Sequence, residues 1–350
     1  MKKIIFISSA LQQPRHQKRI DLLNTECNLE VYYFYRNKYT ENYKGYERNA
    51  KKIGEVKDGK YFSRILLLIK LYFILLFSKS DAIYCTSPDQ ALISIFTGKK
   101  VFLEIADLYQ IDGSNRFYKI LDFIIFPFIS GLIITSPYYY SGYLNKFDKF
   151  LKKKTIVVEN KLLPTFYEDI EKYRGNFSIK NNGKIRLGLI GNLSFKKSLE
   201  KIKEFIAVNN NYELHIFGDG LYNIFNGLDN VIYHGRFKSP EDLPSIYSII
   251  DVNIILYDND NNNVKLALPN KLYESIAFLR PIVCSDNVAL SDIVRKDSLG
   301  EVVVNDDIDF AVNKIINDYD QYVNHMRNLD SSRYICFEQS EIFKLINSVE

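Results

Sequence analysis

The residues best suited to hold an anionic ligand lie in the second half of the 350-residue chain. Leu187–Ser198 reads LGLIGNLSFKKS: a strand-like run, a turn with Gly191 and Asn192, then two lysines opening a helix. Backbone N–H groups at such a turn and at a helix N-terminus attract negative charge. Lys197 adds a full positive charge suited to a diphosphate; a solvated lysine is the alternative. Leu214–Gly220, LHIFGDG, ends a second strand on Gly218-Asp219-Gly220. In Leu268–Asp286, Pro269 and Asn270 open a helix on which Lys271 and Glu274, three apart, share one face. Glu274 could accept two hydrogen bonds from a ribose diol, each contributing about 1.5–3 kcal/mol. The plain alternative is a surface ion pair between those two residues.

Three further groups need weighing. Glu104 and Asp107, in VFLEIADLY, stand at the end of a predicted strand, where a general base would be placed. Structural capping competes with catalysis for Asp107, and more strongly for Glu104. Asp258-Asn259-Asp260 has the D-x-D form of a metal motif but opens an Asn-rich loop, so it reads as a solvated segment and no metal is expected. Cys27, Cys85, Cys284 and Cys336 contain no C-x-x-C pair, and Cys85 and Cys284, at the ends of apolar strand-like runs, read as buried thiols. The four histidines, His16, His215, His234 and His325, are scattered, which argues against a metal cluster.

These residues need a scaffold. A chain of this length suits two domains of about 150–180 residues. At 47% hydrophobic and 25% charged it is globular in composition. MKKIIFISSA reads as a first strand rather than a signal peptide. The longest apolar run, Ile65–Phe77, contains Lys70 and falls short of the roughly 20 residues that span a bilayer. Of 46 basic and 42 acidic residues, 26 and 15 fall in residues 1–165, leaving 20 and 27. A half of net +11 thus adjoins one of net −7, so the first half is expected to face something anionic. No nucleic-acid motif is present.

Strands alternate with helices throughout, as in stacked β-α-β units on parallel sheets. Predicted strands are Lys3–Ser8, Glu30–Tyr35, Ala82–Cys85, Lys100–Ile105, Gly131–Thr135 and Thr155–Glu159, then Ile185–Ile190, Glu213–Phe217, Asn230–His234, Val252–Leu256, Pro281–Cys284 and Gly300–Val304. Ser239 and Pro240 read as the cap and first position of a helix. The expected division is 1–164, a linker at 165–183, a second domain at 184–328, and a C-terminal helix within 329–350 that packs back on the first domain. Two such domains would leave a ligand crevice at the carboxyl ends of their strands. Tyr61–Phe77 and Phe117–Ile129 are unusually apolar. The second reads as a buried crossover helix. The first, with Lys57, Lys60, Arg64, Lys70 and Lys79 around it, also suits an anionic membrane surface, to which its charge would draw it.

The ordered segments resemble the carboxyl-terminal half of GT-B-fold glycosyltransferases, especially the retaining family 4. The family's G-R-L-x-x-x-K-G turn corresponds to Gly191–Ser198, its G-x-G strand end to Gly218-Asp219-Gly220, and its N-V-x-x-x-G strand to Asn230–Gly235. Its P-x-K-x-x-E-x-x-A-x-x-x-P-V-V-x-S segment matches Pro269, Lys271, Glu274, Ala277, Pro281, Val283 and Ser285. VFLEIADLY, IITSPY and IVVENKL resemble the first domain more loosely. Asn192 stands where the family has arginine, Leu266 where it often has an acidic residue, and Ser8-Ser9-Ala10-Leu11 where it has a Gly-rich loop.

The resemblance implies two Rossmann-like parallel-sheet domains facing across a cleft. Lys197 would clamp the donor diphosphate, Glu274 would hold the ribose, and Lys271 would lie near the diphosphate or sugar. It implies transfer from a UDP- or GDP-linked sugar to a lipid-linked or glycan acceptor in bacterial surface glycan synthesis, on the inner membrane face. No cofactor beyond the nucleotide-sugar substrate is expected. A nucleotide-sugar 2-epimerase of the same fold and a non-catalytic scaffold are the rival readings.

Overall fold

The computed structural model describes all residues except Gln12, 37–48, 58–60, 109–115, 175–182, Asn261, Glu338 and 349–350. The chain forms two compact units, Met1–Glu159 together with Glu338–Glu350, and Asn160–Phe337. Of the expected linker, 175–182 lie outside the described residues. Its first part departs from that expectation: Pro164–Phe166 and Tyr167–Tyr173 are helical and belong to the second unit.

Among the described residues, the first unit holds seven parallel strands: β1 Lys3–Ser8, β2 Asn28–Tyr35, β3 Ala50–Glu55, β4 Ala82–Cys85, β5 Lys100–Ile105, β6 Gly131–Ile134 and β7 Thr155–Val157. Their order is β3-β2-β1-β4-β5-β6-β7, so it reverses between β1 and β4. The central strands are apolar because helices cover both faces, and β4 and β6 are buried at every position. β3 was not expected. Its sequence, AKKIGE, buries Ile53 alone, as suits a short lysine-bearing edge strand. Helix Gln339–Ser348 lies against β6 and β7. Gly131 makes room for it, since a Cβ there would stand 2.8 Å from Leu345 Cδ2.

Among the described residues, the second unit has six strands: β8 Ile185–Leu193, β9 Tyr212–Gly220, β10 Val231–Gly235, β11 Val252–Ile255, β12 Ile282–Ser285 and β13 Gly300–Val303. The order β10-β9-β8-β11-β12-β13 repeats the first unit's winding, with the reversal between β8 and β11. β8 and β9 outrun their expected ends. Gly191 pairs with Gly218, and a Cβ on Gly218 would sit 1.8 Å from the Gly191 carbonyl oxygen. Only glycine lets the ladder continue there. The helix expected to start at Ser239-Pro240 begins instead at Leu243, with Pro244 in its first turn.

Two apolar helices depart from a buried role. Helix Arg116–Ile125 buries Leu121, Asp122 and Ile125 but exposes Ile120, Phe123 and Ile124, so the expected buried crossover is amphipathic. Helix Tyr61–Phe77 buries Leu71 and Leu75 and exposes its opposite face. Among the described residues, no helix is long and apolar enough to cross a membrane.

Candidate functional site

In open α/β sheets, ligands bind beyond the carboxyl ends of strands where the strand order reverses. In the second unit that place lies between β8 and β11, and a pocket occupies it. Asn192, Ser194 and Phe195 line it from the end of β8, Leu256 and Tyr257 from the end of β11, and Lys271 from helix Asn270–Ala277. Gly191 has a φ of 102°, and a Cβ on it would come within 2.9 Å of Lys271 Cε and 3.1 Å of Nζ. The lysine therefore lies across the glycine. Its ammonium stands 5.5 Å from the Tyr257 ring centroid, and the Tyr257 and Phe195 rings pack 4.7 Å apart. A cation, a wall of two aromatic rings and strand-end backbone are thus brought together, a set suited to a phosphate-bearing ligand.

Two helix N-termini flank this region, and they differ. On helix Lys196–Val208, Asp258 accepts from Lys197 N at 3.3 Å, Ser198 N at 2.8 Å and Ser198 Oγ at 2.7 Å. The protein's own carboxylate occupies the positive end of that helix. Lys197 lies outside the pocket lining, well exposed, with its ammonium 2.6 Å from Asp260 Oδ2. The expected diphosphate clamp is therefore countered by the very loop taken for a solvated segment. Asn259 anchors that loop by donating to the Asp286 carbonyl at 3.0 Å. Helix Asn270–Ala277 has Pro269 as its N-cap residue and no side-chain cap. Its first-turn N–H groups and Lys271 remain the local source of positive charge. Among the described residues, no three His, Cys, Asp or Glu side chains gather as a metal set.

Glu274, one turn beyond Lys271, is buried, and Tyr247 Oη donates to its Oε2 at 3.1 Å. Burial and then the neighbouring carboxylate drive the Tyr247 hydroxyl well above the usual tyrosine range, so it remains a donor. Asn253 Nδ2 donates to Ser275 Oγ at 2.7 Å, and Arg280 Nε donates to the Tyr247 carbonyl at 2.7 Å. This network fixes the base of helix Asn270–Ala277. Of the residues expected at the site, Asn192 and Lys271 line one pocket, with the paired Gly191 and Gly218 in the strands that lead to it. Lys197 and Glu274 are absent from the lining.

The first unit's strand reversal, between β1 and β4, has its own polar group. Arg19 donates to Glu104 through Nε at 2.9 Å and Nη2 at 3.1 Å, and Tyr84 Oη donates to Glu104 at 2.5 Å. Burial alone would raise the Glu104 carboxyl, but the Arg19 charge and these hydrogen bonds outweigh it and lower the pKa. A carboxylate so held is a structural partner, which corrects its candidacy as a base. Asp107, partly exposed, accepts from Arg15 Nη1 at 2.8 Å. Between the two arginines on helix Pro14–Asn24 sits His16, which sequence reasoning treated only as one scattered histidine. Its Nδ1 lies 2.8 Å from Ser8 Oγ and 3.0 Å from the Ala10 carbonyl. Burial, then the adjacent Arg15 charge, pushes its pKa down to about 3, so the ring is neutral. Its place in the first turn after the first strand was the available signal.

Residues 184–320 match the family described as glycosyl transferases group 1. No curated protein matches the sequence. Among solved structures, the chain is similar to the HepE protein of Anabaena in complex with UDP and glucose, with a TM-score of 0.75 at 14% identity over 99% of this chain and 100% of that one. It is also similar to the lipopolysaccharide outer core galactosyltransferase WaaB, with a TM-score of 0.68 at 15% identity over 99% of each chain. A third similar structure is a UDP-GlcNAc 2-epimerase from Neisseria meningitidis bound to UDP-GlcNAc, with a TM-score of 0.59 at 13% identity over 99% and 100%. The two doubly wound parallel sheets and these structural likenesses give the chain the GT-B fold, and the match to glycosyl transferases group 1 falls on its second unit.

Proposed function

We propose that the chain transfers a hexose from a UDP- or GDP-linked donor to a lipid-linked or growing glycan acceptor in bacterial surface polysaccharide or glycolipid synthesis. It works on the inner face of the cell membrane, without a metal and with retention at the anomeric carbon. One observation carries this reading: Lys271 lies across Gly191 at a helix N-terminus that no side chain caps. A donor diphosphate seated there meets a full positive charge and oriented N–H groups, and both act more strongly on the leaving diphosphate as its negative charge develops. Tyr257 and Phe195 wall the same space. Glu274, one turn along the helix from Lys271, is buried against Tyr247 and outside the pocket lining, and its assignment to the nucleotide ribose rests on its place on the same helix. Asp107, held by Arg15, faces the acceptor chemistry. The HepE and epimerase structures contain UDP or UDP-GlcNAc, which favours UDP over GDP.

A panel of nucleotide sugars, read by thermal stabilisation and by hydrolysis with and without a glycolipid acceptor, tests the proposal. One UDP- or GDP-sugar is expected to stabilise the protein and to be consumed faster with acceptor. Interconversion of UDP-GlcNAc without acceptor would mark an epimerase instead. No stabilisation by any nucleotide would leave a scaffold. Glu274→Ala is expected to weaken nucleotide binding by about 2 kcal/mol, and unchanged affinity would remove its ribose role.

A further inference from the structure

The first unit carries an apolar surface larger than one greasy helix. On helix Tyr61–Phe77 the exposed side chains are Phe62, Ile65, Leu66, Ile69, Phe73, Leu76 and Phe77, with Phe62 at 74% and Phe77 at 79%. At 3.6 residues per turn these seven fall within about 120° of arc, and the buried Leu71 and Leu75 stand opposite. Helix Pro88–Ser94 packs against both this helix and helix Arg116–Ile125. It runs on into a short turn that exposes Phe96 at 65%. Helix Arg116–Ile125 adds Ile120, Phe123 and Ile124 along one stripe, and Phe128 follows at 70% exposed. Phe62, Phe73, Phe77, Phe96, Phe123 and Phe128 are therefore exposed on, or just after, three helical segments of which the middle one packs against each of the other two. A face of this extent marks a protein or membrane contact.

Its borders choose between those. Helix Tyr61–Phe77 has no acidic residue, and the only one of helix Arg116–Ile125, Asp122, is buried and accepts from Tyr143 at 2.8 Å. Lys70, Lys79 and Lys119 are exposed beside the apolar stripes. Lys70 is anchored through a bond to the Ile53 carbonyl at 2.9 Å, at the edge of its helix's exposed arc. Phenylalanine and aliphatic side chains on an axis parallel to the surface, rimmed by lysine, fit the boundary between acyl chains and anionic headgroups.

We infer that helices Tyr61–Phe77 and Arg116–Ile125, with Phe96 and Phe128, form a two-helix seat that inserts into the surface of an anionic bilayer. This deepens the lipid-linked-acceptor reading above, on which its purpose rests. It departs from a purely electrostatic attachment: the lysines bring the protein to the surface, and the apolar side chains hold it there. Binding therefore persists in salt once formed.

Co-sedimentation of the full chain with phosphatidylethanolamine–phosphatidylglycerol vesicles tests this without donor or acceptor, so its outcome is separate from that of the transferase reading. Binding is expected at low salt and is expected to survive about 1 M salt, where charges are screened within about 3 Å. Phe73→Ser with Phe123→Ser is expected to lower partitioning more than roughly tenfold. Both side chains are exposed, and an unchanged melting temperature would show the fold intact. Release in high salt would overturn the insertion and leave attraction by charge alone. No binding at low salt would overturn the membrane as occupant, and a dimer broken by the same two substitutions would assign the face to a second copy of the chain.

Discussion

At the scale of single residues, the strongest contrasts are between groups of like charge. Glu104 and Asp107 are three apart in sequence, yet Arg19 and Tyr84 enclose the first while the second stays partly open beside Arg15. Removing Arg19 strands a buried carboxylate, so Arg19→Ala is expected to lower stability by about 3–5 kcal/mol. Arg19→Met with Glu104→Gln should recover much of that loss, as read by denaturant unfolding. His16 gives a pH signature. Its folded pKa of about 3 lies below the usual 6.5, so the unfolded chain binds the extra proton. The stabilisation is whole above about pH 6.5 and is lost as the pH falls towards 3, by about 1.4 kcal/mol for each pH unit. His16→Asn, which keeps a donor near the Ala10 carbonyl, should flatten that part of the stability–pH curve. An unchanged slope would place the titration elsewhere.

Elements explain which assignments were open to sequence reasoning. Every predicted strand start falls within two residues of an observed one, because continuous runs such as LIIT and IVCS are apolar on both faces. β3 was not legible: an edge strand has one neighbour, so a polar AKKIGE can pair without an apolar pattern. The strand leading to Gly191 was legible from its apolar run, but its continuation past the glycine depends on Gly218 across the ladder, a contact distant in sequence. Lys197 was chosen from its place in a helix. Nothing local announces that Asp258 and Asp260, about sixty residues away, reach that same helix end. Asp258→Ala is expected to cost about 1 kcal/mol through the lost cap, seen as earlier thermal unfolding and faster amide exchange in the first turn of helix Lys196–Val208. No change there would mean that water satisfies those N–H groups.

For the whole molecule, the doubling read from the strand pattern is real: both sheets wind in the same order, with one reversal each. The first unit takes in the chain's end, since Ile342, Phe343, Leu345 and Ile346 are buried in it. Deleting helix Gln339–Ser348 should therefore reduce hydrogen-exchange protection in β6 and β7 and leave β8–β13 protected; equal loss in both units would contradict that division. The proposed function depends most on one place, the pocket beyond β8 and β11. Calorimetric titration with UDP of the native chain, Lys271→Ala and Lys197→Ala tests it directly. Lys271→Ala is expected to weaken binding by about 1.5–3 kcal/mol, roughly ten- to a hundredfold, and Lys197→Ala by clearly less. Equal affinity for native chain and Lys271→Ala would contradict the account.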